Sequence, residues 1–331
     1  MSVLRLFSRL QGAIMLGLLL ILTFSAPDLN SVETSYNKNF GYEVAERGQV
    51  SPDLAKAWGT PNMEGRDFTI MRPEQGGDSY IRFVQNPAIS GVEPMKTFGW
   101  SAGELLVQDL DDLAKRLRAP DSGFQILGEP RTLSATSKIR AMQAVGPAGE
   151  VLYLTQFPAT DPDGALSSFR TARSYVDRAF IAVVGGPDLE AMRTFYGSTF
   201  GRKVSEPGFA RITILNKANN LDIDTVHPVA NIRITDELVI EFDKYPEAAT
   251  TRPHRHKMLP PGMAMVTITV DNLDDFKGLW LSDPIQLKQL PYGGRRTATI
   301  KGVADELIEL VEQKRQKRDG VRWPGFFGHV N

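Results

Sequence analysis

The sequence predicts an α+β protein built from four modules, each a strand, a helix and then several further strands. Two observations support this prediction. Residues 21–48 read ILTFSAPDLNSVETSYNKNFGYEVAERG and residues 181–208 read IAVVGGPDLEAMRTFYGSTFGRKVSEPG, with 11 of 28 positions identical at a constant offset of 160. Each of these stretches is followed by a shorter segment on the same plan. Self-similarity at a fixed spacing indicates an internal duplication.

The repeated stretch predicts a strand, a turn and a helix. The apolar run ILTFSA precedes Pro-Asp-Leu, and Val32, Tyr36 and Phe40 then recur at helical spacing. Gly41 follows the last of them, where a left-handed C-cap favours glycine. Because the second copy repeats these features, residues 20–48 and 180–208 are predicted to form matching strand–helix units.

Further strands are predicted after each helix. The first long module continues with DFTIMRP and SYIRFVQNP, and the second continues with ARITILN and LVIEFDKYP. The shorter modules match each other in GELLVQDLDDLAKRL and MVTITVDNLDDFKGL, and in the closing runs GPAGEVLYLTQ and GVADELIELVE. The four modules therefore lie near residues 20–90, 99–158, 178–247 and 262–313.

The predicted domain organisation follows these modules in chain order. A length of 331 residues suggests about two domains of ordinary size. The division predicted is an apolar N-terminal extension (1–19), a first domain of two modules (20–158), a second domain of two modules (178–313) and a basic tail (314–331).

Composition favours a compact enzyme or binding protein. Apolar residues make up 42% of the chain, charged residues 23%, and the formal net charge is −1. This balance gives no support for nucleic acid as a partner. The chain has no cysteine, which excludes disulfide bonds and a catalytic thiol.

The N-terminus leaves two localisations open. Arg5 and Arg9 precede an apolar run from Ala13 to Leu22, as in a secretory signal. The repeat, however, assigns residues 21–26 to the first strand, so cleavage after them would remove a strand of the fold. The sequence therefore favours a cytoplasmic protein, the alternative being a membrane-tethered or exported form that uses residues 1–26.

The four modules in this order, their opening "xDL" turns and closing strands such as ADELIELVE resemble the vicinal oxygen chelate superfamily. This superfamily includes glyoxalases, bleomycin-resistance proteins and extradiol dioxygenases, and the resemblance covers about residues 20–313. It implies that the modules pair into two cupped mixed β-sheets with helices on their outer faces, each cup around a cavity. Pairing of module one with two and of one with four both occur in similar proteins, so the pairing stays open.

The resemblance also implies where metal ligands would lie. The family places a histidine early in a module's first strand and a glutamate in its last strand. Alignment on the Pro-Asp-Leu turn puts four residues that cannot bind a metal at the histidine positions: Ile21, Ala102, Ile181 and Met265. The glutamate positions hold Arg82, Tyr153, Glu241 and Glu309. Since usual sites have three protein ligands, no metal ligand and no cofactor is assigned, and a weakly held divalent metal remains an alternative.

The residues at the glutamate positions are the candidate site. Glu241 and Glu309 are predicted to be catalytic, because a carboxyl group inside a cup has a raised pKa suited to proton transfer. Arg82 and Tyr153 are predicted to bind substrate, arginine through its planar fork and tyrosine through its ring and hydroxyl. The alternatives are a solvated Glu309, an Arg82 head that reaches water and a Tyr153 that fills core.

Three functions remain open. The first is an enzyme with a degenerate metal site that acts on a small oxygenated organic molecule, as a lyase, an isomerase or a dioxygenase-like protein. The second is a metal-free small-molecule binding protein of the resistance type. The third is a non-catalytic scaffold. A small-molecule ligand is the expected partner, homodimerisation stays open, and membrane association is expected only if the N-terminal apolar segment is an anchor.

Overall fold

A computed structural model describes residues 16–75, 77, 79–133, 138–158, 172–235 and 238–313. Residues 1–15 and the predicted basic tail lie outside the described residues. Each module begins with a strand, and a helix or a short 3-10 helix follows it.

The elements follow the predicted module order. The first module contains β1 (Leu16–Ala26), α1 (Leu29–Phe40), β2 (Glu43–Gln49), α2 (Pro52–Ala57), a 3-10 helix (Pro61–Met63), β3 (Asp67–Arg72) and β4 (Tyr80–Gln85). The second contains β5 (Gly99–Val107), α3 (Leu110–Leu117), β6 (Gln125–Thr132), β7 (Arg140–Val145) and β8 (Val151–Gln156). The third contains β9 (Val176–Gly186), α4 (Leu189–Phe200), β10 (Gly208–Ala210), α5 (Thr213–Ala218), β11 (His227–Thr235) and β12 (Leu238–Lys244). The fourth contains β13 (Gly262–Val270), a 3-10 helix (Leu273–Phe276), β14 (Ile285–Leu287), β15 (Arg295–Lys301) and β16 (Leu307–Glu312).

Two curled eight-stranded mixed sheets form, which confirms the predicted α+β fold. The first sheet has the order β14-β15-β16-β13-β1-β4-β3-β2, and the second has β10-β11-β12-β9-β5-β8-β7-β6. Module one therefore shares a sheet with module four, and module two with module three. This settles the pairing that the sequence left open. Each sheet takes one module from residues 20–158 and one from 178–313, and the division of the chain into those two domains remains a prediction.

The duplicated strand–helix units are present as predicted. Asp28 caps α1 by accepting hydrogen bonds from the backbone N–H groups of Asn30 and Ser31, and Asp188 caps α4 through the N–H of Ala191. Gly41 and Gly201 end the two helices at φ values of 71° and 60°, a conformation in which glycine has no side-chain penalty.

One predicted strand is wrong. The run ARITILN contributes the end of β10 and then most of helix α5. So short an apolar run does not distinguish a strand from a helix. A segment inside a cup that has no neighbouring strand can pair its backbone N–H and C=O groups with each other by forming a helix. Helix α2 occupies the same place in module one. Trp58 N–H donates to Leu54 O at the end of α2, and Asn219 N–H donates to Leu215 O at the end of α5.

The buried apolar residues form three clusters. The largest contains the convex faces of both sheets together with α1, α3 and α4. A second cluster fills the concave face of the first sheet, together with residues of α2. A third lies on the concave face of the second sheet, together with residues of α5. We call these concave faces the first cup and the second cup.

Two matching hydrogen bonds connect elements of the two sheets. The Tyr36 hydroxyl in α1 donates to Glu150 Oε1 at 2.8 Å, and the Tyr196 hydroxyl in α4 donates to Glu306 Oε1 at 2.9 Å. Both carboxyl groups also accept a backbone N–H in their own turn, and both are fully buried. Burial raises the pKa of Glu150 and of Glu306 to about 7, although these hydrogen bonds oppose the rise.

The apolar N-terminal run contributes to the centre of the first sheet. Strand β1 starts at Leu16 and lies between β13 and β4. Removal of residues 1–26 would therefore take away a central strand. Among the described residues no helix is both long enough and apolar enough to span a membrane. The compartment remains a prediction.

Candidate functional site

The four positions aligned with the family's histidines lie in the two cups and are apolar. Ile21 and Met265 belong to the cluster of the first cup, and Ala102 and Ile181 to that of the second. Within the described part of the chain, no group of three or more His, Asp or Glu side chains is arranged to hold a metal ion. The donor set of the family's metal centre therefore does not fit the residues present in either cup.

Arg82 and Glu309 form an ion pair in the first cup. Arg82 Nη2 lies 3.2 Å from Glu309 Oε2, and the two side chains are 1% and 0% exposed. They lie on β4 and β16, which are separated by β13 and β1 in the sheet. The two predicted roles, substrate binding for Arg82 and catalysis for Glu309, thus fall on residues that bind each other.

Further hydrogen bonds close this pair. Glu309 also accepts hydrogen bonds from Trp58 Nε1 at 2.9 Å, from the Tyr292 hydroxyl at 2.8 Å and from Thr267 Oγ1 at 2.7 Å. With Arg82 this makes four donors on one carboxylate, which is about its full accepting capacity. Glu309 therefore has no free oxygen lone pair directed at a ligand.

Arg82 is also fully engaged. Its guanidinium donates to Thr23 Oγ1 at 3.1 Å and to the Tyr292 hydroxyl at 2.7 Å, in addition to Glu309. The Trp58 ring packs against it, with the guanidinium carbon 4.5 Å from the ring centroid. Trp58 comes directly after α2, and it fills the first cup together with the buried residues of that helix. The contacts of Arg82 and Glu309 are those of a structural core.

The second cup has a different polar content. Glu104 on β5 and Glu241 on β12 are half-buried, and Asp243 on β12 is 0% exposed. The two strands flank β9, where Glu104 pairs with Ile181 and Glu241 pairs with Val183. Ile240 and Phe242 lie in the cluster of the convex face. Strand alternation therefore places Glu241 and Asp243 on the concave side.

Burial raises the pKa of all three carboxyl groups. The pKa of Glu104 rises to about 7 by burial, with a hydrogen bond from Thr155 Oγ1 opposing the rise and the nearby Glu241 charge adding to it. Burial also raises the pKa of Glu241. The pKa of Asp243 lies well above its usual range through burial and the adjacent Glu241 carboxyl.

Tyr153 lies in this group of carboxyls. It pairs with Glu104 across β5 and β8, and its covered hydroxyl has no hydrogen-bond partner among the described residues. Burial raises the pKa of Tyr153 well above its usual value, and the charges of Asp243, Glu241 and Glu104 add to the rise. Of the four predicted site residues, the structure brings Tyr153 and Glu241 together and places Arg82 and Glu309 in the other cup.

A cavity of about 670 Å³ lies beside the second cup. Its walls include side chains of the third apolar cluster: Met95, Leu127, Val145, Val151, Ile214 and Ala218. The carboxyl groups do not line this cavity themselves. Val151 is two residues before Tyr153 on the same face of β8, and the hydroxyl of Tyr245 contacts the sulfur of Met95 at 3.6 Å. The cavity wall therefore reaches strand β8 two residues before Tyr153, which belongs to the carboxyl cluster.

Sequence reasoning missed Glu104 and Asp243. Asp243 shares the alternation of Glu241 in LVIEFDKYP, so the same argument places it in the cup. Glu104 is an acid within a strand whose other residues are buried, GWSAGELLV. An acidic residue in an otherwise apolar strand can be recognised from the sequence as a candidate site residue, because the burial of a charge costs free energy.

No protein-family model matches the chain. No curated protein matches it. Solved structures do match. A mutant of glyoxalase I from Zea mays has a TM-score of 0.58 and 17% identity over 89% of this chain and 93% of that chain. Glyoxalase I from Zea mays has a TM-score of 0.55 and 17% identity over 89% and 92%. A Bacillus subtilis protein assigned as a dioxygenase has a TM-score of 0.56 and 10% identity over 89% and 84%.

These similarities concern the fold. The chain shares the fold of these solved structures, which confirms the fold that the order of its modules predicts. At such identities the activity of a neighbour does not carry over to this chain.

Proposed function

We propose that the chain binds a small organic molecule in the second cup and needs no metal ion to do so. One observation carries this proposal: a cavity of about 670 Å³ lies beside a cluster of polar groups in which the Tyr153 hydroxyl and both Asp243 oxygens lack hydrogen-bond partners among the described residues. Cavities of this size and mixed lining are typical of small-molecule sites.

The difference between the two cups supports the choice of the second. Trp58, at the end of α2, fills the first cup and binds Glu309. The matching residue at the end of α5 is Asn219, whose side-chain amide instead donates to the backbone oxygen of Met95 at 3.0 Å. At this position the second cup therefore has an asparagine where the first has the bulky indole of Trp58. The cavity and the polar groups without partners therefore both lie on the side of the second cup.

The residues of the second cup favour ligand binding without a metal ion. Ala102 and Ile181 stand at the two histidine positions of this cup, and both are buried apolar side chains. Burial raises the pKa of the neighbouring carboxyl groups, and a bound proton competes with a metal ion for a carboxylate oxygen. We therefore assign ligand recognition to hydrogen bonds and apolar contacts.

Proton transfer is a second candidate function, supported by one observation. Glu104 has a pKa of about 7, where a carboxyl group is suited to act as a general acid or base at neutral pH. In this version Glu241 or Glu104 takes a proton from the bound molecule, as in a lyase or isomerase reaction. Glu309 is not part of this proposal, because its oxygens are occupied.

The test fills the cavity. Ala218 lines it, so Ala218→Trp places an indole ring in the space the ligand would use. Thermal shift of the wild type against a panel of small organic molecules, with EDTA present, identifies binders. A ligand at about 100 times its Kd stabilises the folded state by about 2.7 kcal/mol.

We expect Ala218→Trp to abolish the shift while it keeps the wild-type circular dichroism spectrum. Leu221→Trp, at an exposed position three residues further on, is the matched control and keeps the shift. A folded Ala218→Trp variant that binds as well as the wild type would contradict this site.

A further inference from the structure

The buried carboxyl of Asp243 has no hydrogen-bond donor. Neither of its oxygens meets one within the described residues, and the side chain is 0% exposed. Its close neighbour is the Glu241 carboxyl, with which a shared proton is the available hydrogen bond. Asp243 stands at the place that Val84 has in the first cup, since both pair with matching positions of the neighbouring strand, Gly185 and Ser25. An acceptor thus replaces an apolar side chain.

The rest of the cluster also offers acceptors. Glu104 receives a hydrogen bond from Thr155, and the covered hydroxyl of Tyr153 is free to donate or accept. No lysine, arginine or histidine in the described ranges forms an ion pair with Glu104, Glu241 or Asp243. The cluster therefore contains carboxyl groups and no basic side chain. The basic side chains that line the neighbouring cavity are Lys217 and Arg252, and Arg252 donates hydrogen bonds to the backbone oxygens of Trp100 and Met263.

The first cup contains the positive charge that the second lacks. Thr23 pairs with Arg82 in the first sheet, and Val183 pairs with Glu241 in the second, so Arg82 and Glu241 occupy matching positions. In the first cup the arginine neutralises a buried glutamate. In the second cup this position carries a further carboxyl group, and no ion pair among the described residues neutralises it.

From this geometry we infer that the molecule bound in the second cup is an organic cation, a protonated amine attached to an apolar or aromatic body. The inference rests on the proposed function and specifies its ligand class. An ammonium group donates up to three hydrogen bonds, and separate acceptors such as Glu241, Asp243 and Glu104 satisfy it. The body of the ligand occupies the cavity beside Met95, Val151 and Ile214.

Other ligand classes fit this cluster less well. A metal ion needs ligands converging at short distances, and the described residues supply no such group. The carboxyl groups disfavour an anionic ligand, and a neutral ligand lacks the charge and the three donors of an ammonium group. The ring of Tyr153 adds a face on which a cation is attracted.

Binding of an amine is accompanied by a measurable proton release. With a pKa of about 7, Glu104 is partly protonated at neutral pH in the empty cluster, and burial also raises the pKa of Asp243. A bound ammonium group favours the ionised form, so these protons leave for the buffer. Calorimetry in two buffers of different ionisation enthalpy measures the number released.

The experiment compares matched probes on the full chain. Three bodies, phenyl, indole and naphthyl, are each tested as an ethylamine, an ethanol and a propionate at pH 7 by titration calorimetry. We expect at least one amine to bind about tenfold or more tightly than its alcohol and carboxylate partners, with release of protons.

Each other outcome has a defined meaning. Absence of binding by all nine probes at millimolar concentration overturns the proposed function and this inference together. Binding of alcohols or carboxylates as tight as that of the amines overturns the inference alone. Amine binding without proton release also overturns it.

Variants locate the cation on the cluster. Asp243→Asn and Glu241→Gln preserve shape, and each is expected to weaken the binding of the best amine about ten- to a hundredfold, with less effect on its alcohol partner. Glu247→Gln, at an exposed position, is the control and leaves the affinity unchanged. If both folded variants bind the amine as tightly as the wild type, the carboxyl groups do not recognise it and the inference fails.

Discussion

Arg82→Met tests whether the first cup is a structural core. The substitution keeps a long side chain but removes the charge and three hydrogen bonds, to Thr23 at 3.1 Å, to Tyr292 at 2.7 Å and to Glu309 at 3.2 Å. Glu309 then stays buried with neutral donors and no positive charge. Removal of one partner of a buried ion pair costs about 3–5 kcal/mol. This is a large part of the 5–15 kcal/mol by which domains are typically stable.

The assay is urea denaturation followed by tryptophan fluorescence and circular dichroism. We expect the free energy of unfolding to fall by about 3–5 kcal/mol in Arg82→Met. The double variant Arg82→Met/Glu309→Gln is expected to recover part of the loss, because no buried charge is left without a partner. Lys38→Met removes an exposed ion pair with Asp121 and serves as the control, with little change expected because water screens the pair.

Two results would refute this reasoning. One is a loss below about 1 kcal/mol for Arg82→Met, the range of an ordinary exposed pair. The other is a double variant less stable than the single one, which would mean that Glu309 contributes independently of Arg82.

Three further predictions concern the second cup, the contacts between the sheets and the metal. Glu241→Gln is expected to keep the circular dichroism spectrum and to weaken or abolish ligand binding or turnover. The control Glu247→Gln, at an exposed position, is expected to leave binding and turnover unchanged. Equal binding by Glu241→Gln and the wild type would contradict the role of Glu241. Glu150 and Glu306 have pKa values of about 7 in the folded protein, against 4.5 for a free side chain. Between these pH values the folded state binds more protons than the unfolded state. The free energy of unfolding is therefore expected to fall as the pH rises from about 4.5 to above 7. Glu150→Gln is expected to reduce this fall between pH 5 and 8 by roughly 2–3 kcal/mol; denaturant titrations that show the same pH dependence in variant and wild type would count against it. Elemental analysis of the purified protein is expected to show no stoichiometric transition metal, and about one metal per chain would point to ligands outside those considered.

Local pattern was sufficient to predict which face of a strand a residue occupies. Ile240 and Phe242 lie in the core of the convex face, as alternation around Glu241 predicts. The same rule places Asp243 beside Glu241. Helix α5 was predicted as strand because six residues carry too little periodicity to distinguish the two.

The ion pair between Arg82 and Glu309 could not be predicted from local sequence patterns. The two residues are 227 positions apart, and their contact depends on β13 lying next to β1 in the first sheet. The sequence offered two pairings of the modules, and in the other pairing Arg82 and Glu309 belong to different cups. Their assignment as site residues used the family alignment, which gives a position in a module but no neighbour from another module.

The duplicated modules, the caps of their helices and the face on which each strand residue lies follow from the sequence, because they depend on contacts between residues close in the chain. The structure was needed to show that one cup is filled by Trp58 and a closed ion pair while the other keeps a cavity beside three carboxyl groups. These properties depend on which distant segments meet and on whether a side chain such as Trp58 or Asn219 reaches across the cup. Burial and partner, which together determine the pKa and availability of Glu241, exist only after the sheets have assembled.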